Sequence, residues 1–425
     1  MSRRQWKRLD AVERIVVGKL SRSDAAAVLG LSERQVRRLV RAFEKQGAAG
    51  LVHGNRGRAP SHKVSVEIRR LVVELMTGKY VGFNEQHFTE KLAEEEDIVL
   101  SRQSVRRILR ASGVKASRRR RAKRYRQRRE RKAQEGMMLL WDGSRHDWLE
   151  GRGPQLCLMA AIDDATGAIM PGAHFVLREG TRGYLHVLLA VAQKHGLPHS
   201  IYMDRHSSLH RNDDGWTLAE ELRGVQDPTQ VGEALAELGV EPIFALSPEA
   251  KGRVERLWGT LQDRLCSELR LAKVSTLEQA NEFIQAYLAV FNARFARPAS
   301  EVEPAWRRVP RGMDVEAVCS HRYRVTVARN NTVSVNRYTV DIPPSANRVS
   351  DAGKKADVRF LLDGRVRVYL RGELAAEVTS GVTQPGKRHK RRAPRGKQES
   401  KPKLTFKEIV NKHRKPPHRT ESLAS

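Results

Sequence analysis

The run Met137-Met138-Leu139-Leu140-Trp141-Asp142 constrains this chain more than any other stretch, because it drives an apolar strand into a carboxylate. Ser200-Ile201-Tyr202-Met203-Asp204 does the same again. Short apolar runs bounded by turn residues read as strands. Between them, Gln155 to Ile162 reads as a second strand, closed by the turn Asp163-Asp164-Ala165-Thr166-Gly167. Ile169 to Leu177 reads as a third. Tyr184 to His195 has Leu185, Leu188, Leu189 and Ala192 at helical spacing. After Asp204, Asp227-Pro228-Thr229 opens a helix carrying Val231, Leu235 and Leu238, and Val240 to Leu246 is a last strand. A long helix follows, with the stripe Val254, Leu257, Trp258, Leu261, Leu265 and Leu269. That succession describes a mixed, layered α/β domain.

The whole chain of 425 residues carries a formal net charge of +30. A cationic excess of that size calls for a polyanionic partner, nucleic acid first and a membrane surface second. No apolar run is long enough to span a bilayer and no signal peptide opens the chain, so a cytoplasmic protein is expected. Cys157, Cys266 and Cys319 are odd in number and widely spaced, which argues for buried thiols rather than disulfides or a zinc site.

The basic residues are patterned. Residues 7–47 read as short helices, with the turn Gly30-Leu31 and Ser32 as N-cap of a basic helix whose Val36, Leu39 and Val40 point inward. This is the outline of a helix-turn-helix, and it leaves Arg34, Gln35, Arg37, Arg38 and Arg41 to face DNA. The motif Ser32-x-x-x-Val36-Arg37-Arg38-Leu39-Val40-Arg41 recurs as Ser101-x-x-x-Val105-Arg106-Arg107-Ile108-Leu109-Arg110. Helices near 66–77 and 84–95 precede the second copy, whose DNA-facing residues are Arg102, Gln103, Arg106, Arg107 and Arg110. In the linker between the copies, Arg56 and Arg58 of an Arg-Gly-Arg core fit a narrow minor groove. Residues 117–132 are almost all basic and suit phosphates.

Ser247-Pro248-x-x-Lys251-Gly252-x-Val254-Glu255-Arg256-x-x-x-Thr260-Leu261, followed by Phe291-Asn292-Ala293-Arg294-Phe295-Ala296-Arg297-Pro298, resembles the corresponding segments of integrase-core DDE transposases. The N-terminal region resembles their bipartite DNA-binding domains. The resemblance covers most of the chain, and bacterial insertion-sequence transposases of the ISNCY type are the nearest family. It implies a ribonuclease H-like core in which Asp142, Asp204 and Glu255 are both the catalytic residues and the ligands of Mg²⁺, with Mn²⁺ as a substitute. It also implies binding of terminal inverted repeats and target DNA, strand cleavage and strand transfer, and a homo-oligomer on DNA. Two departures stand out: a polar insertion near 207–227 after Asp204, and no lysine one turn beyond Glu255, so that Lys251, Arg253, Arg256 and Arg264 are expected to supply charge.

Beyond the core, alternating apolar residues at Tyr323 to Val327, Val333 to Val335, Tyr338 to Ile342, Val358 to Phe360 and Val366 to Leu370 lead to the expectation of a small β-barrel. The full expectation is a multidomain chain. It has helix-turn-helix domains at 1–53 and 64–116 joined by a linker at 54–63, a basic linker at 117–135 and an α/β catalytic core at 136–300. A β-barrel follows at 301–380 and a disordered basic tail at 381–425. Two readings compete with a transposase: a DNA-binding regulator with an inactive core, and a ribonuclease H-like nuclease that does not join ends.

Overall fold

The computed structural model describes residues 3–52, 63–115, 129–211, 215–245, 252–335, 338–344 and 350–379. The chain divides into two compact units, 1–117 and 118–425.

The first unit is helical throughout its described residues. α1 (Arg3–Val16), α2 (Arg22–Leu29) and α3 (Glu33–Gln46) close around Val12, Ala25, Val36, Val40 and Leu51. Gly30 makes the turn before α3 in the left-handed region, φ 62°, where a side chain would be strained. Ser32 then caps α3. α4 (Val66–Thr77), α5 (Glu85–Glu95) and α6 (Arg102–Ala111) start at Ser65, Asn84 and Ser101, whose side chains each accept a backbone N–H of the first turn. Tyr80, Phe83, Phe88, Leu92, Val105 and Leu109 are buried among them.

The second unit is built on a five-stranded sheet. Its strands are β1 (Met138–His146), β2 (Leu156–Asp163), β3 (His174–Val176), β4 (Ser200–Met203) and β5 (Glu241–Phe244), in the order β3-β2-β1-β4-β5. β1 and β2 are antiparallel, as are β2 and β3, whereas β4 runs parallel to both β1 and β5. Parallel pairs need crossovers. Helices α7 (Thr181–Lys194) and α9 (Gln230–Glu237) lie in those connections, with the short α8 (Leu218–Arg223) in the insertion after β4. Side chains of β1 alternate between two cores. Leu139 and Trp141 join α7 and α9 residues such as Leu188 and Leu235. Met138 and Leu140 join α10 (Gly252–Leu271) and α11 (Leu277–Phe295) through Val254, Leu261, Leu265 and Phe291. Each fully buried leucine there contributes about 1.5–3 kcal/mol.

The third strand is shorter than its apolar run because the chain turns at Pro171 and Gly172, the latter at φ 81°, and α11 lines its outer edge. Asn281 accepts from Phe175 N at 2.6 Å and donates to Phe175 O at 3.1 Å. Asn292 pairs in the same way with Ile169, at 2.9 and 2.8 Å. Side-chain amides thus cap the sheet edge that a further strand would otherwise pair.

After α12 (Val315–Val318), the expected barrel is an open four-stranded antiparallel sheet beside a two-stranded ribbon. β6 (His321–Thr326), β9 (Lys355–Phe360), β10 (Val366–Leu370) and β11 (Glu373–Val378) form the sheet in the order β11-β10-β9-β6. β7 (Thr332–Val335) and β8 (Tyr338–Asp341) form the ribbon. They share one core through Val333, Val340, Val358 and Val368. Among the described residues no strand pairing joins sheet to ribbon, so the sheet does not close. The expected basic tail, 381–425, lies outside the described residues.

Candidate active site and nucleic-acid interface

Asp142 does not end its strand. β1 runs on to His146, paired with β2 throughout, but the parallel pairing with β4 stops at Leu140↔Tyr202. Two further steps along that register bring Asp142 opposite Asp204, the first residue past β4. Alternation puts Asp142 on the face of Met138 and Leu140, which α10 covers. Tyr202 packs against the same core, so Asp204, two residues on, follows that face. Asp204 Oδ1 accepts the backbone N–H of His206 at 3.0 Å, which fixes its turn. Asp147 lies just past the strand and accepts Gly151 N–H.

Glu255 stands exposed on the first turn of α10. One turn on, Trp258 donates its indole N–H to Asp142 Oδ2 at 2.9 Å. One turn further, Gln262 donates to Ser144 Oγ at 3.2 Å. Positions three and four apart share a helix face, so Glu255 belongs to the face that α10 turns toward Asp142. Val254, Leu261, Leu265 and Leu269 are buried and hold that orientation.

Two participants were not legible as such. Trp258 read only as part of an apolar stripe, with nothing to mark its indole as a donor. Glu179 received no role, yet it accepts the Tyr184 hydroxyl and lies 3.8 Å from His206 Nδ1. A Cβ on Gly143 would stand 2.7 Å from Glu179 Oε2 and 3.1 Å from Cys157 Sγ, so a side chain there would have to displace the Glu179 carboxylate. The Asp142-Gly143 pair was the available signal. Burial, then Glu179, and then Asp204 and Asp142, push the Tyr184 phenol far above its ordinary value. Burial, Glu179 and Asp142 push the Cys157 thiol up to about 12. These residues share one negative field.

The turn carboxylates differ. Asp163 accepts from Thr166 N–H, Thr166 Oγ and Gly136 N–H. Asp164 is 1% exposed. It accepts from Arg129 at 2.6 Å, from the Lys132 backbone at 2.9 Å and from Arg253. Burial raises the Asp164 carboxyl, but those donors outweigh it and hold the group below the usual carboxylate value. Asp213 and Asp214 of the insertion lie outside the described residues.

Of the residues expected to meet DNA, Arg34, Arg37, Arg38 and Arg41 line the exposed side of α3. Gln35 instead folds back on Ser32 in a reciprocal cap, its Oε1 accepting Ser32 N–H at 3.3 Å. On α6, Arg102, Gln103 and Arg107 are exposed, while Arg106 and Arg110 face Glu85 at 3.8 and 3.4 Å. Arg256 is exposed and Arg253 is tied to Asp164. Arg264 is 5% exposed, with its guanidinium 4.8 Å over the Phe295 ring, so it packs in the core rather than offering surface charge. Arg56, Arg58 and Lys251 lie outside the described residues.

Among the described residues, no three His, Cys, Asp or Glu side chains converge closely enough to hold a metal ion by themselves. That holds for Asp142, Asp204 and Glu255 too; each offers hard carboxylate oxygens, the chemistry that Mg²⁺ takes while keeping waters and substrate oxygens for its other positions. No described helix is long and apolar enough to cross a membrane.

The family model for the winged helix-turn-helix matches residues 9–70. The chain is 32% identical over 374 residues to the putative transposase y4bF of Sinorhizobium fredii, covering 88% of this chain and 80% of that one. It is 34% identical over 331 residues to the transposase for insertion sequence IS1202 of Streptococcus pneumoniae, covering 68% of each. The fold and site thus sit in a helix-turn-helix protein with a mixed α/β core, and the chain belongs to this family of transposases. Among solved structures, a simian T-cell lymphotropic virus intasome in complex with PP2A regulatory subunit B56 gamma matches 73% of this chain and 99% of its own, at 13% identity and a TM-score of 0.30. The magnesium complex of the HTLV-2 integrase catalytic core domain matches 36% and 85%, at 16% identity and a TM-score of 0.24. Both likenesses are too distant to carry weight.

Proposed function

We propose that the protein is a DDE transposase that binds the terminal inverted repeats of an insertion sequence and catalyses strand cleavage and strand transfer. The observation that carries the reading is the parallel register of β1 and β4, which, continued two residues past its last pair, sets Asp142 opposite Asp204 below the face of α10 that bears Glu255. A mixed sheet with that placement of carboxylates supports a ribonuclease H-like core. The motif around Val254-Glu255-Arg256 supports the ISNCY type. Asp142, Asp204 and Glu255 would hold Mg²⁺, or Mn²⁺ in its place. When bound, the metal supplies an activated nucleophile and neutralises charge on the leaving oxygen.

The chain's own residues do the positioning. Trp258 fixes one oxygen of Asp142 and the His206 amide fixes Asp204. Preset carboxylates avoid reorganisation when charge develops on the substrate. The arginines of α3 and α6 supply phosphate contacts and base readout in the major groove. The reading extends to a homo-oligomer on target and element DNA, in the bacterial cytoplasm at the nucleoid.

The test is purified protein with Mg²⁺, labelled element ends and a plasmid target, scored for nicking and joining. Asp142→Ala, Asp204→Ala and Glu255→Ala are each expected to abolish both steps and leave repeat binding intact. Full cleavage by Asp142→Ala overturns the assignment. Binding without any cleavage in the wild type points to a regulator, and cleavage without joining or repeat dependence points to a nuclease.

A further inference from the structure

At the N-terminal end of α10 lies a cavity of about 360 Å³ that the carboxylate site does not use. Arg129 and Arg131 line it from the segment before β1, Arg253 and Arg256 from α10, and Arg297 from the chain just past α11. Its floor is apolar, with Leu140, Ile162, Leu257, Phe291 and Phe295. Among the described residues, two carboxylates line the cavity with these five arginines, Asp163 and Asp164. The bonds described above engage Asp163 with backbone and threonine donors, and Asp164 with Arg129, Arg253 and the Lys132 amide. The Arg131 guanidinium donates to two neutral carbonyls, Asp164 O at 2.9 Å and Ala165 O at 3.1 Å. The Arg256 Nε likewise donates to the carbonyl of Gly252 at 2.8 Å.

Arg129, Arg253 and Arg131 fasten Asp164 and its turn, but five arginines against two lining carboxylates leave the cavity with an excess of like charge. The cost appears on Arg131, whose guanidinium is held below its ordinary value by burial first and then by Arg253 and Arg297. An oxyanion would offset that cost. Guanidinium forks match phosphate oxygens in pairs, and a low-dielectric floor strengthens the attraction. Arg253 and Arg256 also share the first turn of α10 with Glu255.

We propose that this cavity binds a phosphate group, and that in the working protein the group is a backbone phosphodiester of the DNA strand lying along α10. The second half rests on the transposase reading. A strand presented to Glu255 would then place a neighbouring phosphate in the cavity, fixing its direction across the sheet.

The experiment uses the full chain and two probes, neither of which requires cleavage. The first is inorganic phosphate, titrated against chloride at constant ionic strength while Tm is followed. Phosphate raises the Tm of the wild type, and Arg131→Gln/Arg297→Gln loses the rise. No rise in the wild type, or an equal rise in the double variant, overturns the site. The second probe is duplex DNA carrying an element end, with affinity measured across salt concentrations. Each lost phosphate contact lowers the slope of log affinity against log salt by about 1. A slope unchanged in a variant that has lost the phosphate response overturns the DNA half and leaves a site for free phosphate. Should the double variant fail to fold, Arg297→Gln alone, at an exposed position, carries both measurements. Loss of cleavage in every protein, with both responses intact, counts against the transposase reading and not against the cavity.

Discussion

Asp142 and Asp164 invite comparison because the sequence presents them alike, each an aspartate closing an apolar run that becomes a strand of the same sheet. The structure treats them in opposite ways. Asp164 is buried to 1% exposure and surrounded by Arg129, Arg253 and a backbone amide. Asp142 is half-buried, accepts an indole N–H, and lies opposite Asp204 where the parallel pairing of β1 stops. A carboxylate engaged by permanent cationic donors is a fastener. Asp142 instead accepts a neutral donor, the Trp258 indole. Position at the end of an apolar run is therefore not enough to mark a catalytic acid; the partners decide.

Substitutions should separate the two. Asp142→Asn is expected to bring DNA cleavage to background while its urea midpoint stays within error of the wild type. A cleavage rate near wild type removes Asp142 from the chemistry. Asp164→Ala is expected to do the reverse at first, lowering stability by about 3 kcal/mol. That figure is the low end for breaking a buried pair, chosen because Arg129 is 43% exposed in its side chain and screened accordingly. Urea unfolding measures it. An unchanged midpoint would mean that Asp164 fastens nothing.

Trp258→Phe tests how Asp142 is held. The ring volume is largely kept and one hydrogen bond to a charged group is lost, about 1.5 kcal/mol. If that bond presets the carboxylate, cleavage slows near tenfold with Tm almost unmoved. A wild-type rate would show that the indole only packs.

Local chemistry made much of this legible. Ser32 and Ser101 announce helix starts because a short polar side chain satisfies first-turn amides wherever it stands, and α3 and α6 begin just after them. What stayed hidden depends on contacts distant in sequence. Nothing near Gln35 shows whether its side chain meets DNA or returns to Ser32; the same Ser-x-x-Gln spacing serves both. Arg106 and Arg110 look like free cations until α5 brings Glu85 beside them. The apolar run of β3 likewise does not reveal that Asn281 and Asn292 cap its outer edge. The barrel was overread for a related reason: alternation marks strands but not whether the last pairs with the first. Asp142, Asp204 and Glu255 were proposed from spacing and motif; the bonds that Trp258 and the His206 amide make to the two aspartates were not legible.

The smallest effect is a pH dependence that belongs to Asp164. Its carboxyl titrates below the ordinary value of 3.8 in the folded protein because its cationic donors outweigh burial. A depressed folded value means that the unfolded chain takes up the proton first as pH falls. The stabilisation from Asp164 is therefore complete well above pH 4 and drains away as pH drops through the folded value. The Tm gap between wild type and Asp164→Asn should accordingly hold steady from pH 7 to about pH 5 and narrow as acid is added below about pH 4. A gap that widens in acid would have the opposite sign. It would mean that burial, not the arginines, governs this carboxylate, and the contrast with Asp142 would then have to be drawn from solvent access alone.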